Sequence, residues 1–102
     1  MTYHIDYAYT CHAGKVRPNN EDNFWCCGEH LPVSNHGTEE IRTGIRLRES
    51  LPVMAVFDGM GGESQGEMAA WLASDSLEHF HRDNKGMLRT APELFLLEAC
   101  KN

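Results

Sequence analysis

The stretch Pro52-Val53-Met54-Ala55-Val56-Phe57-Asp58-Gly59-Met60-Gly61-Gly62 decides how this chain is read. Its first half is a continuous apolar run, the pattern of a buried strand. Its second half is a carboxylate followed by a glycine-rich corner, which lets the backbone turn sharply. A helix is expected directly after it. Ser64 and Glu67 form an S-x-x-E capping box. Met68, Ala69, Trp71, Leu72, Leu77 and Phe80 then fall largely on one stripe, with Asp75, Glu78 and Arg82 away from it. Asp83-Asn84-Lys85-Gly86 ends the helix. The corner therefore sets an acidic group at a strand end, just before a helix begins.

Upstream, Tyr3 to Thr10 alternates, with Tyr3, Ile5, Tyr7 and Tyr9 on one side, and predicts a strand. Ala13-Gly14-Lys15 is a turn and Val16 to Asn20 a loop. Asp22 to Cys27 predicts a second strand. Gly28 to Gly44 is polar and reads as an exposed loop or hairpin excursion, and Ile45 to Glu49 as a short edge strand. Downstream, Thr90 and Glu93 form a second capping box with Pro92 in the first turn. The apolar face Leu94, Leu97, Ala99, Cys100 is still running at Asn102, the pattern of a chain truncated within its second helix. Strands grouped before helices predict an α+β fold rather than βαβ units.

The chain has 102 residues, room for one small domain. A formal net charge of -6 excludes a nucleic-acid phosphate surface, which needs clustered Lys and Arg. The cysteines Cys11, Cys26, Cys27 and Cys100 show neither C-x-x-C nor zinc-ribbon spacing, so free thiols in a reducing compartment are expected. No stretch has the length and apolarity of a membrane span, and Met1 to Thr10 has no secretory pattern, so a cytoplasmic location is the expectation.

Two segments carry chemistry. In Arg17-Pro18-Asn19-Asn20-Glu21-Asp22 a guanidinium precedes a carboxylate pair across a turn, so the Arg can face a phosphate while the carboxylates face a metal. In Asp58-Gly59 a rigidly held carboxylate adjoins a carbonyl free to turn the same way, the mixed oxygen donors that hard divalent cations take. The bland readings are a charged surface turn and a tight strand-to-helix turn. His79 and His81 read as favourable charge at a helix C-terminus rather than metal ligands. Trp25, Trp71 and Phe80 read as packing residues. Arg42, Arg46 and Arg48 read as a solvated strand face.

Together, Gly14-Lys15-Val16-Arg17, Asn20-Glu21-Asp22, Asp58-Gly59-Met60-Gly61-Gly62 and Gly66-Glu67-x-Ala69-Ala70 resemble the PPM (type 2C) family of metal-dependent serine/threonine protein phosphatases, in its bacterial branch. The resemblance implies that residues 1–102 are the N-terminal portion of a single phosphatase domain, part of a layered α-β-β-α sandwich of antiparallel sheets flanked by helices, here incomplete. It implies two Mn²⁺ or Mg²⁺ ions, with Asp58 bridging them, Gly59 giving its carbonyl, Asp22 a ligand with Glu21 beside it, and Arg17 gripping the substrate phosphate. The resemblance further implies that the ions would make a bound water acidic enough to attack phosphorus directly, with no phosphoenzyme. Met60 stands where many members have a histidine, and cannot donate a proton to the leaving group. The family's later acidic ligands are absent from the chain, so it is expected to be inactive alone. The implied partners are phosphoprotein substrates, a cognate serine/threonine kinase and a complementary C-terminal half, with neither nucleic acid nor membrane. A non-catalytic module binding a partner or a phosphopeptide is the alternative.

Overall fold

The computed structural model describes residues 4–47, 52–59 and 65–101. Four strands are followed by three helices: β1 (His4–Tyr9), β2 (Asn23–Cys26), β3 (Arg42–Leu47), β4 (Met54–Phe57), α1 (Gly66–Asp83), α2 (Lys85–Thr90) and α3 (Pro92–Lys101). β1 pairs antiparallel with β3, and β2 antiparallel with β4, in separate two-stranded sheets. The fold is α+β, with small antiparallel sheets and helices after them. None of the described helices is long and apolar enough to cross a membrane.

The sheets lie in layers. Ile5, Tyr7 and Tyr9 occupy the less exposed face of β1, as their alternation predicts. Tyr9 meets Phe24 of β2 with ring centroids 5.0 Å apart, and Phe24, Cys26 and Leu31 form a core cluster that Tyr7 and Tyr9 cover. Trp25, the neighbour of Phe24 in β2, points to the opposite layer, where its ring lies 4.8 Å from that of His81 on α1. β2 is thus buried on both faces, between the β1–β3 sheet and α1.

β4 departs from the sequence reading. It is not a buried strand: Val56 is 82% and Met54 49% exposed. Register explains this. Val56 lies opposite Phe24 and Met54 opposite Cys26, on the face that the β1–β3 sheet covers over β2 but not over β4. β3 begins earlier than expected, at Arg42, because it pairs residue for residue with β1 back to Tyr9. At Gly44 the Tyr7 ring lies where a Cβ would project, so a larger residue would displace the ring.

The polar excursion after β2 opens with a two-residue hairpin turn. Cys26 and Glu29 exchange both backbone hydrogen bonds, at 2.9 and 3.1 Å. Cys27 (φ 49°) and Gly28 (φ 95°) both adopt the left-handed conformation that such a turn requires.

The helical region also differs in detail. α1 ends at Asn84 as expected, where the side-chain amide of Asn84 caps the Phe80 carbonyl at 2.9 Å. Its buried residues are Gly66, Ala70 and Ser74, whereas Met68 and Leu72 of the anticipated stripe are about half exposed. A short helix, α2, forms where the sequence reading had none. Thr90 closes it instead of capping the next: its hydroxyl donates to the Gly86 carbonyl at 2.9 Å. α3 begins at Pro92, and its fully buried residue is Phe95, against Phe80 at 5.1 Å. Leu94 and Leu97 are exposed instead. Ser64 of the first capping box lies outside the described residues.

Candidate metal centre

The centre is built on the loop before β2. Asn20, 2% exposed, is its keystone. Its amide nitrogen donates to Asn35 Oδ1 and to the Asp22 carbonyl, both at 2.9 Å, and its Oδ1 accepts the Asp22 N–H at 3.3 Å. Asn23, equally buried, holds the other side of Asp22. Its amide donates to the Leu31 carbonyl, and its Oδ1 accepts the N–H groups of Leu31 and Phe24, all within 2.9 Å. A buried amide that makes these bonds fixes the backbone around it, since breaking any of them strands a polar group. Asp22 is therefore gripped from both flanks.

Asp22 then reaches the second motif. The backbone N–H of Gly59 donates to Asp22 Oδ1 at 3.1 Å, joining residues 37 apart in sequence. Gly59 is buried, and a Cβ there would overlap the Glu21 carbonyl oxygen and lie 2.7 Å from that of Gly66. The corner is thus wedged between the Glu21-Asp22 loop and the first residue of α1. Only a glycine leaves room for all three backbones.

The remaining candidates fall around this contact. Glu21 pairs with Arg17, Nη1 to Oε2, at 2.9 Å, with the Glu side chain 13% and the Arg side chain 49% exposed. Arg17 is directed at the Glu21 carboxylate of its own loop. Asp58 is exposed at the end of β4. Met60 lies outside the described residues.

The chemistry of this donor set, carboxylates and a backbone carbonyl, fits a hard divalent cation. Its geometry fits less completely. Glu21, Asp22 and Asp58 do not bring three ligand atoms within mutual reach. Among the described residues, the set that does is His30, Asp75 and Glu78, whose ligand atoms all lie within 4.8 Å of one another. Asp75 and Glu78 share a face of α1 by their i,i+3 spacing, but His30 comes from the excursion after β2, and no local pattern announces the meeting.

Two further side chains depart from the sequence reading. His81 is not a helix-end charge. Burial, then the positive Lys85 and Arg46, hold its pKa below the usual histidine value, so the neutral ring is favoured. Arg46 is not part of a solvated face: its Nη2 donates to the Cys27 carbonyl at 2.8 Å. Arg42 pairs with Glu29 at 3.4 Å, and Arg48 lies outside the described residues. Cys26 is buried and its thiol pKa is pushed up to about 11, first by that burial and then by Cys27 beside it. All four cysteines are free thiols.

Comparison with family models, with curated proteins and with solved structures gave no match.

Proposed function

We propose that this chain supplies the Arg17–Asp22 and Asp58–Gly59 part of a metal-dependent serine/threonine protein phosphatase centre of the PPM kind, acting on phosphoproteins in the cytoplasm. The Gly59 N–H to Asp22 Oδ1 bond carries the reading, because it unites the two motifs on which the resemblance rests. Asp22, Asp58 and the Gly59 carbonyl would hold Mn²⁺ or Mg²⁺, with Glu21 beside them. When bound, the ions would supply a water acidic enough to act as a nucleophile at neutral pH. Asn20 and Asn23 keep Asp22 in place. Arg17, half exposed, exchanges its ion pair with Glu21 for the substrate phosphate, a swap that a fork-shaped donor on a flexible stem makes readily. The leaving-group proton comes from a group other than Met60.

Three carboxylates are too few to hold two ions tightly, so the chain alone turns over slowly or not at all. The second reading, a non-catalytic binding module, is favoured by the Arg17–Glu21 pair and by carboxylates that do not close on one point.

Mn²⁺ titration followed by electron paramagnetic resonance tests the site, with phosphoaryl ester hydrolysis alongside. Weak Mn²⁺ binding is expected, reduced about tenfold by Asp22→Asn or Asp58→Asn and unchanged by His30→Gln. Binding indifferent to both aspartate changes would sink the proposal. Robust hydrolysis lost in Asp58→Ala would show instead that this chain is sufficient for catalysis.

A further inference from the structure

A cavity of about 620 Å³ opens beside the Cys27-Gly28 turn, between β3, the C-terminal end of α1 and α2. It lies at the far end of the β2–β4 ladder from Asp22 and Gly59, since Asn23 pairs with Phe57 at one end and Cys26 with Met54 at the other. α1 spans the same interval, from Gly66 beside Gly59 to Asp83 beside the cavity, about 27 Å at 1.5 Å per residue.

The charge of this cavity runs against that of the chain. The protein is net acidic with only 9 Lys and Arg, yet Arg46, Arg82, Lys85 and Arg89 all line this one space, against the single carboxylate of Glu78. Arg82 has an exposed partner in Asp83 at 3.6 Å. Lys85 and Arg89 stand at i and i+4 on α2, where like charges repel. Favourable interaction with the C-terminal dipole of α1 accounts for Arg82 and Lys85. Arg89 stands likewise in the last turn of α2, but the effect does not account for Arg46, which comes from a strand.

A second observation points the same way. Trp25 and Arg46 both line the cavity, and the indole Nε1 of Trp25 and the Nε of Arg46 are buried without an acceptor among the described residues. Trp25 is only 2% exposed. Native interiors seldom leave such donors without acceptors. The same space is apolar where Trp25, Val53 and Leu88 line it. Its volume falls within the range of small-molecule sites.

We propose that this cavity binds a small organic phosphate, its anionic group among Arg46, Lys85 and Arg89 and its apolar body against Trp25 and Leu88. The site does not depend on the phosphatase reading, because it shares no residue with the Asp22–Gly59 corner.

The test uses ADP and inorganic pyrophosphate as probes on the 102-residue chain. In a Trp71→Phe background Trp25 is the only indole, and its emission reports occupancy directly; calorimetry on the unaltered chain gives the same affinity without that change. ADP is expected to bind saturably at low salt with Kd at or below about 1 mM, and more tightly than pyrophosphate. Lys85→Gln and Arg89→Gln replace exposed side chains, and each is expected to weaken ADP binding at least about fivefold. No saturable response to either probe, or an affinity unmoved by both substitutions, would overturn the site. Equal affinity for ADP and pyrophosphate would overturn the assignment of an organic ligand.

Discussion

The Gly59 backbone N–H and the Asp22 carboxylate meet at 3.1 Å. A carboxylate that accepts a backbone N–H from a strand-to-helix corner clasps that corner whether or not a cation is present, so Asp22 has two separable roles. Asp22→Asn keeps an oxygen acceptor at Oδ1 and removes the charge. Asp22→Ala removes both. Urea unfolding is expected to show Asp22→Ala destabilised by about 1–2 kcal/mol and Asp22→Asn by less than half as much. Mn²⁺ affinity should fall equally in the two. Equal stability loss in both variants would mean that the charge, not the clasp, holds the corner.

Gly59→Ala tests the wedge. The added methyl meets the carbonyl oxygens of Glu21 and Gly66, both backbone atoms that no rotamer change can move aside. A loss of about 2–3 kcal/mol is expected by thermal or urea unfolding, the range for forcing atoms into a tight interior. A small domain has little stability to spare, so the variant should show a broad early transition. An unchanged midpoint would show that the corner opens freely.

These two contacts also show what the sequence made legible. The apolar run into Asp58-Gly59 announced a strand ending at a carboxylate, and alternation announced β1, because both depend on local periodicity. Asn20 read as the end of a loop and Asn23 as part of the second strand, with nothing to single out either amide, yet both are among the most buried polar groups. Their partners, Asn35 and Leu31, lie across the excursion, and nothing local marks such a pairing. α2 was missed because Asn84 and Gly86 are turn-formers by type. The exposure of Val56 was missed because hydropathy states what a residue prefers, not whether a neighbouring layer reaches it. The His30–Asp75–Glu78 set escaped for the same reason as the asparagines: its members come from separate elements.

Asn23→Leu addresses those buried amides. Leucine keeps the same branched heavy-atom skeleton, with bulkier methyl ends, but supplies neither the donor to the Leu31 carbonyl nor the acceptor for the Leu31 and Phe24 N–H groups. Several backbone groups lose their partners at once, so a loss of about 3 kcal/mol or more is expected, seen as a lowered urea midpoint and faster amide hydrogen exchange at Leu31 and Phe24. A neutral or stabilised variant would show that water replaces the amide without cost.

His81 sets an acid limit on the fold. Its pKa is lowered by burial first, then by Lys85 and Arg46. In the unfolded chain it titrates near the ordinary histidine value of about 6.5. Above that pH the imidazole is neutral in both states and costs nothing. Below it the unfolded chain takes up the proton more readily, so stability falls as pH drops toward the depressed folded pKa. The groups facing the ring reinforce this sign: Trp25 and Phe95 bring no charge, and Lys85 and Arg46 are positive. Urea midpoints measured from pH 7.5 to pH 5 should therefore decline, and His81→Gln should flatten that part of the decline below pH 6.5 while leaving that of the carboxylates. An ADP molecule in the adjacent cavity would place negative charge near the same ring, raise its folded-state pKa toward the unfolded value and so shrink the His81 part of the decline. Midpoints that decline identically in the parent and His81→Gln chains would assign the acid sensitivity to other groups.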